Sequence, residues 1–137
     1  MNKDIVIIPT YNESVNCTLI YEKIRLTNKD IHILFIDDSS PDNTAEIIKL
    51  IQNKDTNVFL LERNKKKGIG SAHKEGFIWA DKKLYTRVVT IDADLSHNPN
   101  LINTMLELLQ NKDIIITGRF LDKNSLDEWP IIRRFIT

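Results

Sequence analysis

Two aspartates separated by one small residue, Asp92-Ala93-Asp94, directly follow the apolar run Val88-Val89-Thr90-Ile91. A pair so spaced at a strand end can set oxygen ligands on a hard divalent cation. Mg2+ and Mn2+ favour carboxylate and phosphate oxygens, and such a cation can bridge to a diphosphate. Three more acids follow other apolar runs. Glu13 closes Pro9-Thr10-Tyr11-Asn12-Glu13 after the run 5–8, and Asp37 and Asp38 follow the run 31–36. Arg63 and Arg119 stand after two further runs, 58–61 and 114–117. A lone Asp-X-Asp is most often a solvated cap or turn. Its recurrence beside acids at other strand ends argues for a shared use.

The chain must bring these residues together, and its periodicity says how. Ile5-Val6-Ile7-Ile8 is unbroken apolar sequence, as a strand buried on both faces requires. The runs 31–36, 58–61, 88–91 and 114–117 read as four more strands. Helical stretches alternate with them. The first has Asn12 or Thr10 as its cap and a stripe of Val15, Leu19, Ile20 and Ile24. The second starts at Ser40-Pro41-Asp42 and continues through Ile47, Ile48 and Ile51. The third presents Ile69, Ala72, His73, Gly76, Phe77 and Ala80. The fourth opens at Asn98-Pro99 with Leu101, Ile102, Met105, Leu106 and Leu109 inward. The order βαβαβαβαβ predicts an α/β fold, a mostly parallel sheet with helices on both faces. The loops after parallel strands share the carboxyl edge, where open sheets bind ligands. Glu13, Asp37, Asp38, Asp92 and Asp94 therefore converge on one crevice with the two arginines.

Composition narrows the function classes. The chain has 137 residues, 42% hydrophobic and 28% charged, which suits one domain. Nineteen basic residues balance nineteen acidic ones, which argues against a general nucleic-acid binder. The single cysteine, Cys17, permits neither an intramolecular disulfide nor a cysteine zinc cluster, as suits a reducing compartment. Cys17 reads as a plain small side chain. No apolar run approaches the ~20 residues of a membrane span, and the N-terminus lacks a secretory signal. The expected location is cytoplasmic, with contact at the cytoplasmic face of a membrane.

Four motifs occur in order: Ile7-Ile8-Pro9-Thr10-Tyr11-Asn12-Glu13, Ile36-Asp37-Asp38-Ser39-Ser40-Pro41-Asp42-Asn43-Thr44, Arg63-Asn64-Lys65-Lys66-Lys67-Gly68-Ile69-Gly70-Ser71-Ala72, and Ile91-Asp92-Ala93-Asp94-Leu95-Ser96-His97. Together with Gly118-Arg119-Phe120 and the stretch from Trp129 to Thr137, they resemble the family-2 inverting glycosyltransferases, in the branch of the dolichyl-phosphate and polyprenyl-phosphate mannose synthases. The resemblance implies a Rossmann-like GT-A fold, with residues 1–118 as the nucleotide-sugar-binding core and 119–137 as the start of an acceptor-side, interfacial segment. It implies that Pro9, Tyr11, Glu13, Ile36, Asp38, Asp92 and Ala93 bind the nucleotide sugar. Asp92, Asp94 and Ser96 would hold Mg2+ or Mn2+. Arg119 and Arg133 would join Asp92 and Asp94 in catalysis by facing the donor diphosphate or the acceptor phosphate. Two departures stand out: Lys67 replaces an apolar residue, and residues 121–128 replace a glycine-rich stretch.

The implied reaction moves a hexose, mannose from GDP-mannose, to a polyprenyl or dolichyl phosphate with inversion. Two alternatives stay open: a UDP-hexose-dependent transferase acting on undecaprenyl phosphate or a saccharide, and a non-catalytic nucleotide-sugar-binding module. No lone general base stands out, which accords with a phosphate acceptor already ionised near neutral pH, its second pKa being ~6. The segment 129–137 mixes apolar bulk with Arg133 and Arg134, chemistry suited equally to anionic headgroups and to an amphipathic helix packed on the core. Lys65-Lys66-Lys67 reads as a solvated basic loop, with attraction of phosphate or membrane toward the site as the alternative. Gly68-Ile69-Gly70 reads as a tight loop opening a helix, with backbone amides able to approach the donor. His73 is expected to pack, and His97 to cap or to touch ligand.

Overall fold

In the computed structural model the described residues are 3–117. Ile5, Val6, Ile7 and Ile8 are all fully buried, as a strand covered on both faces must be. They lie in strand β1 (Asp4–Thr10), the second strand from one side of a four-stranded sheet. The other elements follow in the predicted alternation: α1 (Ser14–Thr27), β2 (His32–Asp37), α2 (Thr44–Gln52), β3 (Val58–Glu62), α3 (Ile69–Lys82), β4 (Arg87–Thr90) and α4 (Leu101–Leu108). The strand order is β3-β2-β1-β4, and every pairing is parallel.

Strand alternation divides the core in two. Val6, Ile8, Ile33 and Phe35 face α1, α2 and α4, packing on Cys17, Ile20, Ile24, Ile48, Ile51, Ile102 and Leu106. Ile5, Ile7, Leu34 and Ile36 face α3 through Ala72 and Ala80. Helices on opposite faces follow from right-handed crossovers that run outward from β1 in opposite directions. α1 and α2 lead to β2 and β3, whereas α3 carries the chain back across to β4. That reversal places a topological switch point between β1 and β4. α3 lies very close to the sheet: a Cβ on Gly76 would meet Ile36 Cδ1 at 2.7 Å and Ile7 Cγ2 at 2.9 Å.

Several local expectations are corrected. The run 114–117 forms no strand, and Ile114 and Ile116 are 76% and 85% exposed. An apolar run becomes a strand only when it meets a free edge, and among the described residues β4 pairs with β1 alone. α1 buries Cys17, Ile20 and Ile24, while Val15 and Leu19 of the expected stripe face solvent. Ile69, Phe77 and Leu101 are likewise exposed at 58%, 48% and 43%. α1 is preceded by Glu13 rather than capped by Asn12 or Thr10. α2 starts at Thr44, after Asn43 in a left-handed conformation, so Ser40 and Pro41 belong to the loop.

Candidate functional site

The carboxyl-edge loops after β1 and β2 are tied together by side chains. The first N–H groups of a helix have no partner within it. Those leading into α1 are satisfied from the other loop. The Asn12 N–H donates to Ser40 Oγ (3.0 Å), Glu13 N–H to Thr44 Oγ1 (3.0 Å) and Ser14 N–H to Asp42 Oδ2 (3.1 Å). Asp42 Oδ1 also accepts from the Thr44 N–H (3.2 Å) and Oγ1 (2.5 Å). Burial alone would raise the Asp42 carboxyl, but the hydrogen bonds from Thr44 and Ser14 outweigh it and hold it below its ordinary value. One carboxylate thus caps two helices. Cys17, one turn further along α1, is buried away from solvent, and desolvation, followed by the charges of Glu13, Asp37 and Asp42, pushes its thiol up to about 12.

The five acids divide by role. Asp37 turns away from solvent and accepts from Thr10 Oγ1 (3.2 Å), the Ser40 N–H (2.9 Å) and Ser40 Oγ (2.6 Å), which fixes the turn after β2. It does not line the crevice. Asp38 is buried as well. It accepts from Arg63 Nη1 (2.8 Å), the Lys67 N–H (2.9 Å to Oδ1) and the Gly68 N–H (2.7 Å). Arg63 reaches on to Ser71 Oγ and to Glu75, so it braces the loop from β3 to α3.

A crevice of about 310 Å³ opens at the switch point. Pro9, Thr10, Tyr11 and Glu13 line it from β1, Asp38 from β2, and Lys66, Gly68, Ile69 and Ala72 from the start of α3. Asp92, Ala93 and Asp94 line it from the loop after β4. That loop closes on itself: the Asp92 N–H donates to His97 Nδ1 (3.2 Å), His97 Nε2 lies 3.7 Å from Asp92 Oδ2, and the Ser96 N–H donates to Asp94 Oδ1 (2.9 Å). His97 therefore holds the Asp92 turn, and Ser96 meets Asp94 through its backbone. A larger groove of about 580 Å³ lies at the opposite, amino edge. It includes none of these acids, and its own Asp4 and Arg87 are paired at 2.7 Å.

Of the residues expected to bind a nucleotide sugar, Pro9, Tyr11, Glu13, Asp38, Asp92 and Ala93 come together here. The Ile36 side chain does not: it is fully buried beneath α3. Arg119 and Arg133 lie outside the described residues, as do the segment 119–137 and the domain boundary drawn at 118. Thr10 and Ala72 line the crevice beyond the expected set, and Lys66 and Ile69 join them from the loop that opens α3. Lys66 stands with its Nζ 3.5 Å from the Tyr11 ring centroid, which nothing in a run of three lysines foretells.

Four non-glycine residues in these carboxyl-edge loops have left-handed backbone: Asn12 (φ 59°), Ser39 (63°), Asn43 (65°) and Leu95 (63°). Among the described residues no group of three or more His, Cys, Asp or Glu is placed to hold a metal. Asp92 and Asp94 nonetheless offer hard oxygen donors at the crevice wall, the right chemistry for a divalent cation that takes its remaining ligands from phosphate and water. No helix of the described residues is long and apolar enough to cross a membrane.

Comparison with known proteins agrees with this geometry. The family model described as Glycosyl transferase family 2 matches residues 5–136. An undecaprenyl-phosphate mannosyltransferase of Micrococcus luteus is 33% identical over 97% of this chain and 55% of its own length. A polyprenol monophosphomannose synthase of Mycolicibacterium smegmatis is 34% identical over 93% of this chain and 49% of its own. A dolichol-phosphate mannosyltransferase of Pyrococcus furiosus is 36% identical over 96% of this chain and 37% of its own. The chain thus spans about half or less of the length of these relatives. Among solved structures, the Pyrobaculum calidifontis mannosyltransferase PcManGT, in complex with GDP-Man and Mn2+, superposes with a TM-score of 0.70 at 19% identity. That match covers 90% of this chain and 38% of the other. The sheet and its covering helices are those of a GT-A fold.

Proposed function

This chain belongs to glycosyl transferase family 2, and we propose that it binds GDP-mannose and moves the mannose to a polyprenyl phosphate. The observation that carries the reading is the carboxyl-edge crevice, where the Pro9–Glu13 loop, Asp38 and the Asp92-Ala93-Asp94 loop face one another at the switch point. The mannosyltransferase relatives, 33–36% identical over most of the chain, favour mannose as the sugar and a polyprenyl phosphate as the acceptor.

In this reading Pro9, Tyr11, Glu13 and Asp38 shape the nucleoside end. Asp92 and Asp94 would hold a divalent cation, Mg2+ or Mn2+, with Ser96 fixing Asp94 through its backbone N–H. The cation supplies positive charge to the diphosphate when bound. An acidic crevice would otherwise repel an anionic donor, so the carboxylates and the cation form one unit. Arg119 and Arg133 are assigned to the donor diphosphate or the acceptor phosphate. A phosphate oxygen of the acceptor forms the new bond to the anomeric carbon as the bond from that carbon to the diphosphate breaks, which inverts the centre. Since that oxygen is already ionised, with a second phosphate pKa of ~6, no protein base need remove a proton. The segment 129–137 is assigned to the surface of a membrane that carries the acceptor.

Calorimetric titration with GDP-mannose and UDP-glucose, each with Mn2+ and with a chelator, tests this. Metal-dependent binding of GDP-mannose, abolished in Asp94→Asn, is the expected result. Preference for UDP-glucose would move the chain to the UDP-hexose branch, and unchanged affinity in Asp94→Asn would refute the metal role. Binding without transfer to any polyprenyl phosphate would make it a nucleotide-sugar-binding module.

A further inference from the structure

Among the described residues the crevice is lined by four carboxylates, Glu13, Asp38, Asp92 and Asp94, and by one cation, Lys66. The charge of Asp38 is already met by Arg63 at 2.8 Å. Lys66 forms no ion pair among the described residues. Its ammonium lies 3.5 Å from the Tyr11 ring centroid, an attraction that orients a cation without neutralising it. A full positive charge is therefore held at the wall of the crevice.

The flanking lysines show that this placement is built. Lys67 turns outward and its Nζ meets Glu75 at 3.2 Å. Lys65 does not line the crevice. Of three consecutive identical side chains, only the middle one reaches the site. The reason lies in the backbone: the N–H groups of Lys67 and Gly68 both donate to the buried Asp38 carboxylate, which sets the loop's register against β2. Gly68 then turns with φ 89°, a conformation L residues rarely adopt, and leads into α3. Asp38 and Arg63 hold the loop, the loop aims Lys66, and Tyr11 receives it.

We propose that Lys66 binds the diphosphate of the nucleotide-sugar donor directly, at the phosphate that adjoins the nucleoside end shaped by Tyr11 and Asp38, with Asp38 and Arg63 as the residues that position its loop. This rests on the reading of the crevice as a nucleotide-sugar site. The diphosphate is the anionic part of such a donor, and an ammonium is a natural partner for it. Lys66 then offsets the repulsion that the acids would exert on the incoming phosphates.

Titration of GDP and UDP in the presence of Mn2+ tests the proposal with the wild-type chain and with Lys66→Met, Lys66→Arg and Lys65→Met. Lys66 is exposed, so the variants should keep the fold, which circular dichroism verifies. Lys66→Met should bind the preferred diphosphate about tenfold more weakly, as loss of one charge-assisted contact implies. Lys66→Arg should recover most of that affinity, and Lys65→Met should match the wild type. Equal affinity in Lys66→Met and wild type would overturn the proposal. So would equal losses in the Met and Arg variants, since shape rather than charge would then matter. A wild-type chain that binds neither diphosphate would overturn the nucleotide-sugar reading itself, and the role of Lys66 with it.

Discussion

Arg63 meets Asp38 at 2.8 Å with side chains only 1% and 6% exposed, so the guanidinium and the carboxylate depend on each other. Removing Arg63 leaves the Asp38 carboxylate without a cation out of water, and removing Asp38 leaves the buried guanidinium only the longer contact to Glu75, at 3.3 Å. Asp38→Ala should therefore cost ~3–5 kcal/mol of stability, with Arg63→Met at the same position in the network costing a similar amount. The double variant should cost less than the sum of the two. Urea unfolding of all four proteins supplies the cycle. Strict additivity would mean that Arg63 regains water once Asp38 is gone. In variants that remain folded, nucleoside diphosphate binding should also weaken, because the Lys67–Gly68 backbone loses its anchor.

Gly76 makes a second prediction. Alanine is the better helix former by ~1 kcal/mol, yet here its Cβ would sit 2.7 Å from Ile36 and 2.9 Å from Ile7. Both neighbours are buried branched side chains with little room to yield. Gly76→Ala should thus destabilise by ~1–3 kcal/mol despite the gain in propensity. A raised urea midpoint would show that α3 can lift from the sheet at no cost.

The third concerns pH. His32 lies at the amino edge, with ring centroids of Phe59 and Tyr85 each 5.5 Å away and its Nδ1 2.5 Å from the Tyr85 hydroxyl. Burial lowers its pKa from the ordinary 6.5; the charges of Lys3 and Arg25 add to this, and Asp55 opposes them. The folded state therefore binds the proton less readily than the unfolded chain does. The stability from neutral His32 is fully present above about pH 6.5 and is lost as pH falls toward the lowered folded value. Its slope cannot exceed ~1.4 kcal/mol per pH unit for one proton. Urea midpoints between pH 5 and 7 should show this slope diminished in His32→Phe. An identical slope in both proteins would assign the dependence to other groups.

The parallel order was legible because strands covered on both faces must be apolar throughout, as the run from Ile5 to Ile8 is. The gathering of acids at one edge followed from that order alone. What the sequence concealed was set by contacts distant along the chain. The partners of the first N–H groups of α1 lie at Ser40, Asp42 and Thr44, in a different loop, so local inspection of Thr10 and Asn12 could not find them. Asp37 and Asp38 are adjacent and identical, yet one fixes a turn and the other faces the crevice, since successive residues point to opposite sides. The same alternation takes the Ile36 side chain into the core beneath α3. The run 114–117 has strand composition, but composition alone does not dock it on the open edge of β4. Lys66 was hidden among like residues because its direction depends on the hydrogen bonds of Lys67 and Gly68.

The left-handed residues of the carboxyl-edge loops bear on how this protein could be hardened. Asparagine tolerates such a backbone cheaply, so Asn12 and Asn43 carry little strain, but a leucine at φ 63° costs ~1–2 kcal/mol. Leu95 holds that conformation while its side chain packs against the core, one residue beyond Asp94. A search for heat-resistant variants would find an easy gain there, by letting the loop relax. Such a gain would loosen the Asp92–His97 turn, so in this chain robustness and ligand affinity draw on the same reserve, and selection for one acts against the other.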